Sequence, residues 1–460
     1  MQDPPFYDLR ARYGPFPTAW TFAPIEKGEA TMKRSRCPRM LLPILTVTLL
    51  CFALPAWADS AGVSKAVDEA APASRVISQK IWEYKEQGMK EFKSSALLME
   101  ELRKLGFTVT GNLKVPEDAF KEGVLPTAFK AELKGKGPGP TVAIMLEYDA
   151  LSNGHACGHN LIASSGFLAA AALAKVMAAT PGRLVVVGTP DEEGAVGSGK
   201  VSLAAGGYFD DADVVFITHP SDRWSLDQRL LAMKRAVFTF KGKSAHAAAA
   251  PHKGVNALRA VLLTFNCIDS LREHLRQDIR IHGIINKGGE RVNVVPDLAQ
   301  ATFLCRALDT ATMEETYGKL ANCAKAAALG TGATLEFVPR KYGLTASIAV
   351  PPLNDTVKNN LAGLGVGAGR LKDFDSLASS DLGNVGYLRP TVNLWFQIAP
   401  EGTGLHTDAF REAANSDEGW KAAVTAAKAV ALSAYEMLTQ PAKLKAVQEA
   451  FRDAKAREGK

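Results

Sequence analysis

Apolar residues along this chain follow two different rhythms. Residues 142–148, 184–188 and 214–218 are near-continuous apolar runs with little alternation, the pattern of strands covered on both faces of a parallel sheet. Between the first two, residues 159–178 are rich in Ala and Leu and predict a helix. This alternation of strand and helix points to a layered α/β domain, with a mostly parallel sheet and helices on both faces. Near Met233 the rhythm changes, and residues 236–240 alternate apolar with polar. Residues 255–275 then predict a helix, 279–285 and 300–306 strands, 313–329 a helix and 334–338 a strand. That order is the split βαβ arrangement of a ferredoxin-like α+β unit. After Tyr342 the α/β pattern resumes, with a strand at 392–398 and a long C-terminal helix. The expected organisation is a small unit at 233–343 inserted into a larger domain built from 59–232 and 344–460. The helical stretch 74–106 belongs to the larger domain, and no internal repeat interrupts the chain.

The front of the chain reads differently. Lys33, Arg34, Arg36 and Arg39 precede an apolar run at 40–54, which Ala56-Trp57-Ala58 closes. Basic region, apolar region and small-x-small site, in that order, predict a secretory signal peptide at 32–58 with cleavage near Ala58. The apolar run is shorter than the ~20 residues a spanning helix needs, so no stable membrane anchor is expected. Cys51 follows Leu49-Leu50 with no small residue before it, which argues against lipid attachment there. Met32 is the expected start, leaving 1–31 as a non-native upstream or disordered segment. The mature protein is expected in the periplasm or outside the cell.

Charge and cysteine content narrow the remaining possibilities. The chain carries a formal net charge of +6. Residues 1–58 hold seven Lys/Arg against four Asp/Glu, so the part after the leader carries only 6 − 3 = +3. No basic run with interleaved aromatics appears downstream, so nucleic acid is not an expected partner. Cys267, Cys305 and Cys323 stand isolated in apolar surroundings and read as small buried hydrophobes rather than a disulfide framework.

The chemistry concentrates at the ends of apolar runs. His155-Ala156-Cys157-Gly158-His159-Asn160 follows the first, Glu192-Glu193 the second and His219 the third, with His406 far downstream. Open α/β sheets place their ligands at such strand ends. Thiolate, imidazole and carboxylate suit a divalent cation, zinc first and manganese after it. A metal lowers its bound water's pKa to ~7, and a nearby carboxylate can move the proton released. Adjacent acids in extended backbone point to opposite sides, which assigns Glu193 to the metal and Glu192 to proton transfer. His155 either ligates or orients the loop. The run from Gly194 to Gly199-Lys200 nearly spells a phosphate-binding loop. Val201 stands where that loop needs Ser or Thr, however, and the two acids would repel phosphate, so nucleotide binding is disfavoured.

Taken together, Glu147-Tyr148-Asp149-Ala150-Leu151, Gly154 to Asn160, Glu192-Glu193, Thr218-His219-Pro220, Ser244-Ala245-His246-Ala247 and Gly404-Leu405-His406-Thr407 resemble the metal-dependent amidohydrolases related to carboxypeptidase G. The likeness extends to the branch of aminobenzoyl-glutamate and indole-acetyl-amino-acid hydrolases, and covers about residues 75–438. It implies a two-metal catalytic domain with an inserted lid that dimerises. By position it implies that Cys157 bridges two divalent ions (zinc or manganese), with His159, Glu193, His219 and His406 as the other ligands. Glu192 matches the general acid/base, and Asp149 the carboxylate that orients a ligand or tunes the metals. Glu147 stands where more distant relatives carry a ligating histidine. His246 matches a histidine that reaches a partner's active site, and Asn293 and Arg306 match groups that hold a substrate carboxylate. The expected protein is an exported amidohydrolase acting on a small N-acyl amino acid, an aminobenzoyl-glutamate-like compound or a dipeptide. The competing expectation is a metal binder without turnover, which would have no use for Glu192.

Overall fold

The computed structural model describes residues 55–194, 199–226, 229–374 and 377–458. The segment 1–31 and most of the leader expected at 32–58 lie outside the described residues; residues 55–58 open helix α1 (Pro55–Tyr84). The large sheet contains β1 (Thr108–Lys114), β2 (Val124–Lys134), β3 (Thr141–Leu146), β4 (Arg183–Gly188), β5 (Val214–Ser221) and the downstream β10 (Thr391–Gln397). Their order is β1-β2-β4-β3-β5-β10. The last four are parallel to one another, and the β1-β2 hairpin adds to β4 antiparallel.

The continuous apolar runs are explained by what each face meets. Val142, Ile144 and Leu146 of β3, with Val186 and Phe216, join the core built around α1, α3 (His159–Met177) and α10 (Asp417–Thr439). The intervening Ala143, Met145, Val185, Val187 and Ile217 face the opposite core, which includes Leu203 of α4 (Gly199–Ala205) and Val385 of α8 (Leu382–Leu388). Both faces are covered, so alternation along these strands is absent. Helix α3 is long and apolar enough to cross a membrane, but it is mostly buried in this core.

The N-terminal helical stretch is two helices, α1 and α2 (Phe92–Lys104), separated by a turn in which Lys85 and Met89 take positive φ. The C-terminal helix is likewise two, α10 and α11 (Pro441–Ala456). Pro441 sits in the first turn of α11, where its missing N–H is harmless, and cannot continue α10. The remaining helices of this layer are α7 (Pro351–Gly363) and the short α9 (Asp408–Ala413).

The small unit is a four-stranded antiparallel sheet of β6 (Ala232–Lys241), β7 (Arg280–Lys287), β8 (Leu298–Ala307) and β9 (Thr334–Glu336), in the order β7-β8-β6-β9. One face is covered by α5 (Ala257–Arg272) and α6 (Thr310–Thr331), with Phe238, Phe240 and Phe303 buried beneath them. Burying such a side chain contributes about 1.5–3 kcal/mol. Both helices start on side-chain caps: Asn256 accepts from the Arg259 amide and Asp309 from the Thr312 amide. Strand β7 forms an open edge, with Ile284 and Ile285 exposed.

Candidate metal centre

The parallel strands deliver the candidate ligands to one end of the large sheet. Glu147 and Asp149 follow β3, Glu192 and Glu193 follow β4, and His219 lies within β5 near its end. Cys157 and His159 flank Gly158, the N-cap of α3, which adopts φ 77°. A Cβ there would come within 2.4 Å of Pro220 Cγ, so glycine permits both the turn and the approach of the His219 loop. His406 also has positive φ, 69°, and its backbone is tied down by Ala156, which accepts from the His406 amide at 2.8 Å.

Two triads of donor atoms share one thiol. The potential ligand atoms of Cys157, His159 and His219 all lie within 4.8 Å of one another, as do those of Cys157, Glu193 and His406. His159, Glu192 and Glu193 form a third such group. Cys157 Sγ is 3.6 Å from His219 Nε2, and His406 Nε2 is 3.2 Å from Glu193 Oε1. The other ring nitrogens are already engaged. His159 Nδ1 is 2.9 Å from Asp149 Oδ1 and His219 Nδ1 is 2.7 Å from the Pro220 carbonyl, which leaves both Nε2 atoms facing the cluster. His159 Nε2 is buried without a hydrogen-bond partner. Donor atoms converging around a shared thiol, with the His159 and His219 rings oriented from behind, fit a pair of divalent ions.

The electrostatics suit a ligand at His219, and at His159 and Cys157 they hold protons that a bound ion would displace. Burial holds the His219 imidazole down at about 4, in the neutral form a ligand needs. Burial opposes the charge on Asp149, but His159 outweighs it and holds the carboxyl down at about 2. Burial likewise opposes a proton on His159, yet Asp149 and then Cys157 hold its imidazole above the ordinary range. Burial pushes the Cys157 thiol up, and metal coordination reverses that preference. Burial and then the neighbouring Glu147 push the Glu192 carboxyl up to about 8.

The two acids are not in the extended backbone expected for adjacent residues with opposite roles. Asp191 takes φ 59°, and Glu192 and Glu193 lie in the bend and turn that follow. Both carboxylates therefore approach the same histidine, with Glu192 Oε2 at 4.0 Å and Glu193 Oε1 at 3.9 Å from His159 Nε2. What separates them is their second contact. Glu193 reaches His406, whereas Glu192 Oε1 accepts from Ser380 Oγ at 2.8 Å. His155 turns away, its Nε2 2.9 Å from the Ile81 carbonyl, and so anchors the loop.

The lid residues are not part of the cluster within one chain. His246 and Asn293 are exposed, and His246 Nδ1 accepts from the Ala248 and Ala249 amides. Arg306 lies on β8 with Nη1 3.5 Å from Ser379 Oγ, beside the serine that contacts Glu192. Lys200, Ser380 and Asp381 form an additional layer that sequence reasoning does not assign. Asp381 and Ser380 carry no periodic or spacing signal, and Lys200 stands out only as the end of the glycine-rich run. That run does not bind phosphate through Lys200. The ammonium is fully buried, 2.6 Å from Asp381 Oδ1 and 2.8 Å from Glu147 Oε1.

A parallel sheet with a two-site donor cluster at its strand ends, and an α+β unit inserted beside it, defines a dinuclear metallohydrolase fold. Residues 232–331 match the peptidase dimerisation domain of the M20 peptidases. The chain is 35% identical to the Xaa-Arg dipeptidase of Mus musculus over 343 residues, covering 71% of this chain and 78% of that protein. It is 36% identical to one of the subunits of the p-aminobenzoyl-glutamate hydrolase of Escherichia coli (strain K12), over 59% of each chain. Its fold is similar to that of a dinuclear metal-binding peptidase of the M20 family from Bacillus subtilis, with a TM-score of 0.59 at 19% identity, covering 81% of this chain and 99% of that one. The chain belongs to the M20 peptidase family, and it is a metal-dependent hydrolase of peptide or amide bonds.

Proposed function

We propose that the protein is exported and cleaves the amide bond of a small N-acyl amino acid, an aminobenzoyl-glutamate-like compound or a dipeptide. The observation that carries this reading is the pair of donor triads sharing Cys157, with Glu192 beside them but held by a different partner. Cys157, His159 and His219 would hold one divalent ion and Cys157, Glu193 and His406 the other, zinc or manganese. When bound, such ions supply Lewis acidity and acidify a water near neutral pH. Glu192 takes the proton of the attacking water at Oε2, since Ser380 occupies Oε1, and delivers it to the departing amine nitrogen. Asp149 keeps His159 in the orientation that points Nε2 at the cluster.

The lid supplies what one chain lacks. We assign His246 of a second copy to the scissile carbonyl, and Asn293 and Arg306 to a substrate carboxylate, for which a guanidinium offers two parallel donors. Homodimerisation through the inserted unit follows from its match to a dimerisation domain and from the open, partly apolar edge of β7. The direct test is amine release from a panel of N-acyl amino acids, aminobenzoyl-glutamate and dipeptides, with metal analysis of the same preparation. Metal-replete protein that releases amine from none of them would refute the substrate class. Detection of an intact 32–58 segment on protein recovered from the native compartment would refute export by cleavage.

A further inference from the structure

Lys200 is a fully enclosed charge beside the cluster. Its side chain has no solvent access, Nζ lies 2.6 Å from Asp381 Oδ1 and 2.8 Å from Glu147 Oε1, and its amide donates to Asp381 Oδ2 at 3.1 Å. These contacts join three separate segments. Glu147 follows β3, Lys200 opens α4 and Asp381 caps α8. Two of these segments then touch the machinery. Ser380, next to Asp381, donates to Glu192 Oε1 at 2.8 Å, and the second oxygen of Glu147, buried without a hydrogen bond, lies 3.6 Å from His159 Nε2.

We propose that Lys200 is a positioning residue for proton transfer: by clamping Asp381 it fixes Ser380, which aims Glu192, and by clamping Glu147 it fixes the carboxylate beside His159 Nε2. This rests on Glu192 being the proton-transfer group. A buried ammonium between two carboxylates is held in place only while both partners remain, and the converse is equally true. Without the ammonium, the two carboxylates lose the positive charge that lies between them. They repel, the start of α8 shifts, and Ser380 no longer holds Glu192 in register.

The test is Lys200→Met, which keeps the chain length and removes the charge. A displacement of about 1 Å at a reacting group costs on the order of 100-fold in rate, so kcat should fall by about that factor. KM should stay within about threefold, and the metal content should be unchanged, because Lys200 touches neither the substrate nor the assigned ligands. Ser380→Ala acts on the same link, so adding it to Lys200→Met should cost less than about twofold more. The overturning results are wild-type kcat in Lys200→Met, a kcat loss that tracks metal loss, or a Ser380→Ala effect that multiplies in full. If Lys200→Met fails to fold, Lys200→Met/Glu147→Gln restores the net charge of the triad. The same three readouts then apply to it, since Asp381 still lacks the ammonium. Glu192→Gln in otherwise wild-type protein tests the underlying reading separately. Loss of turnover there with normal kcat in the lysine variant sinks only the positioning role.

Discussion

The two sheets of this protein serve the site in opposite ways. The large sheet is covered on both faces, and three of the five candidate ligands at its end are correspondingly enclosed, Cys157 at 6% exposed, His159 at 0% and His219 at 8%, with Glu193 half-buried and His406 exposed. The small sheet is covered on one face only, and two of its three candidate functional residues, His246 and Asn293, stand in solvent. Metal geometry needs atoms held to within tenths of an ångström, which a doubly covered parallel sheet supplies. A group that must meet the substrate after it enters belongs on a part that moves or on another subunit. The division assigns rigid chemistry to one sheet and assembly-dependent chemistry to the other.

The sharpest way to break this division is at the shared thiol. Cys157→Ser should abolish turnover and deplete both metal sites, while far-UV circular dichroism stays that of the wild type. Full activity with normal metal content would overturn the bridging assignment. Next in size is the separation of the two acids. Glu192→Gln should retain metal and lose about 10²–10⁴-fold in kcat, whereas Glu193→Ala should lose metal first. Equal metal loss in both would merge their roles.

Shared sites give a smaller but more specific signal. Inactive His246→Ala and inactive Glu192→Gln protomers, mixed one to one, should form heterodimers with one intact site each. Random exchange then restores about a quarter of wild-type activity. No recovery despite demonstrated subunit exchange would mean each chain supplies its own histidine. The mildest change is on the open edge. Ile284, 63% exposed on β7, replaced by Lys should weaken association and shift the sedimentation profile toward monomer, with metal content untouched. A dimer of unchanged stability would place the contact elsewhere on the lid.

Legibility in the sequence divides along similar lines. The buried parallel strands and the split βαβ order are readable because each reflects a burial pattern that the residues must satisfy. The β1-β2 hairpin is not, because β1 is an edge strand with only Leu113 buried and leaves no apolar rhythm. The helix breaks at 85–91 and at Gln440 escape for different reasons. Pro441 is a visible stop signal, whereas Lys85 and Met89 take positive φ although neither is a glycine. At the site, the donor types and their strand-end positions are visible, and the structure gives Glu192 and Glu193 different second contacts. The backbone reason for this is different from the expected one, because a turn stands where extended chain was assumed. Lys200, Ser380 and Asp381 escape because they meet only in three dimensions, with Lys200 and Asp381 lying 181 positions apart.

The turn between the first two helices carries a further lesson. A Cβ on Gly88 would stand 1.8 Å from Asp191 Oδ1, and nearby Glu91 accepts from the Asp191 amide at 2.9 Å. Asp191, immediately before Glu192, is thus cradled by a stretch about a hundred positions earlier. A random-mutagenesis screen for loss of hydrolysis should therefore return hits at Gly88 and Glu91, far upstream of any ligand. Anyone trimming the amino-terminal helices to make a minimal enzyme would be cutting into the wall of the active site.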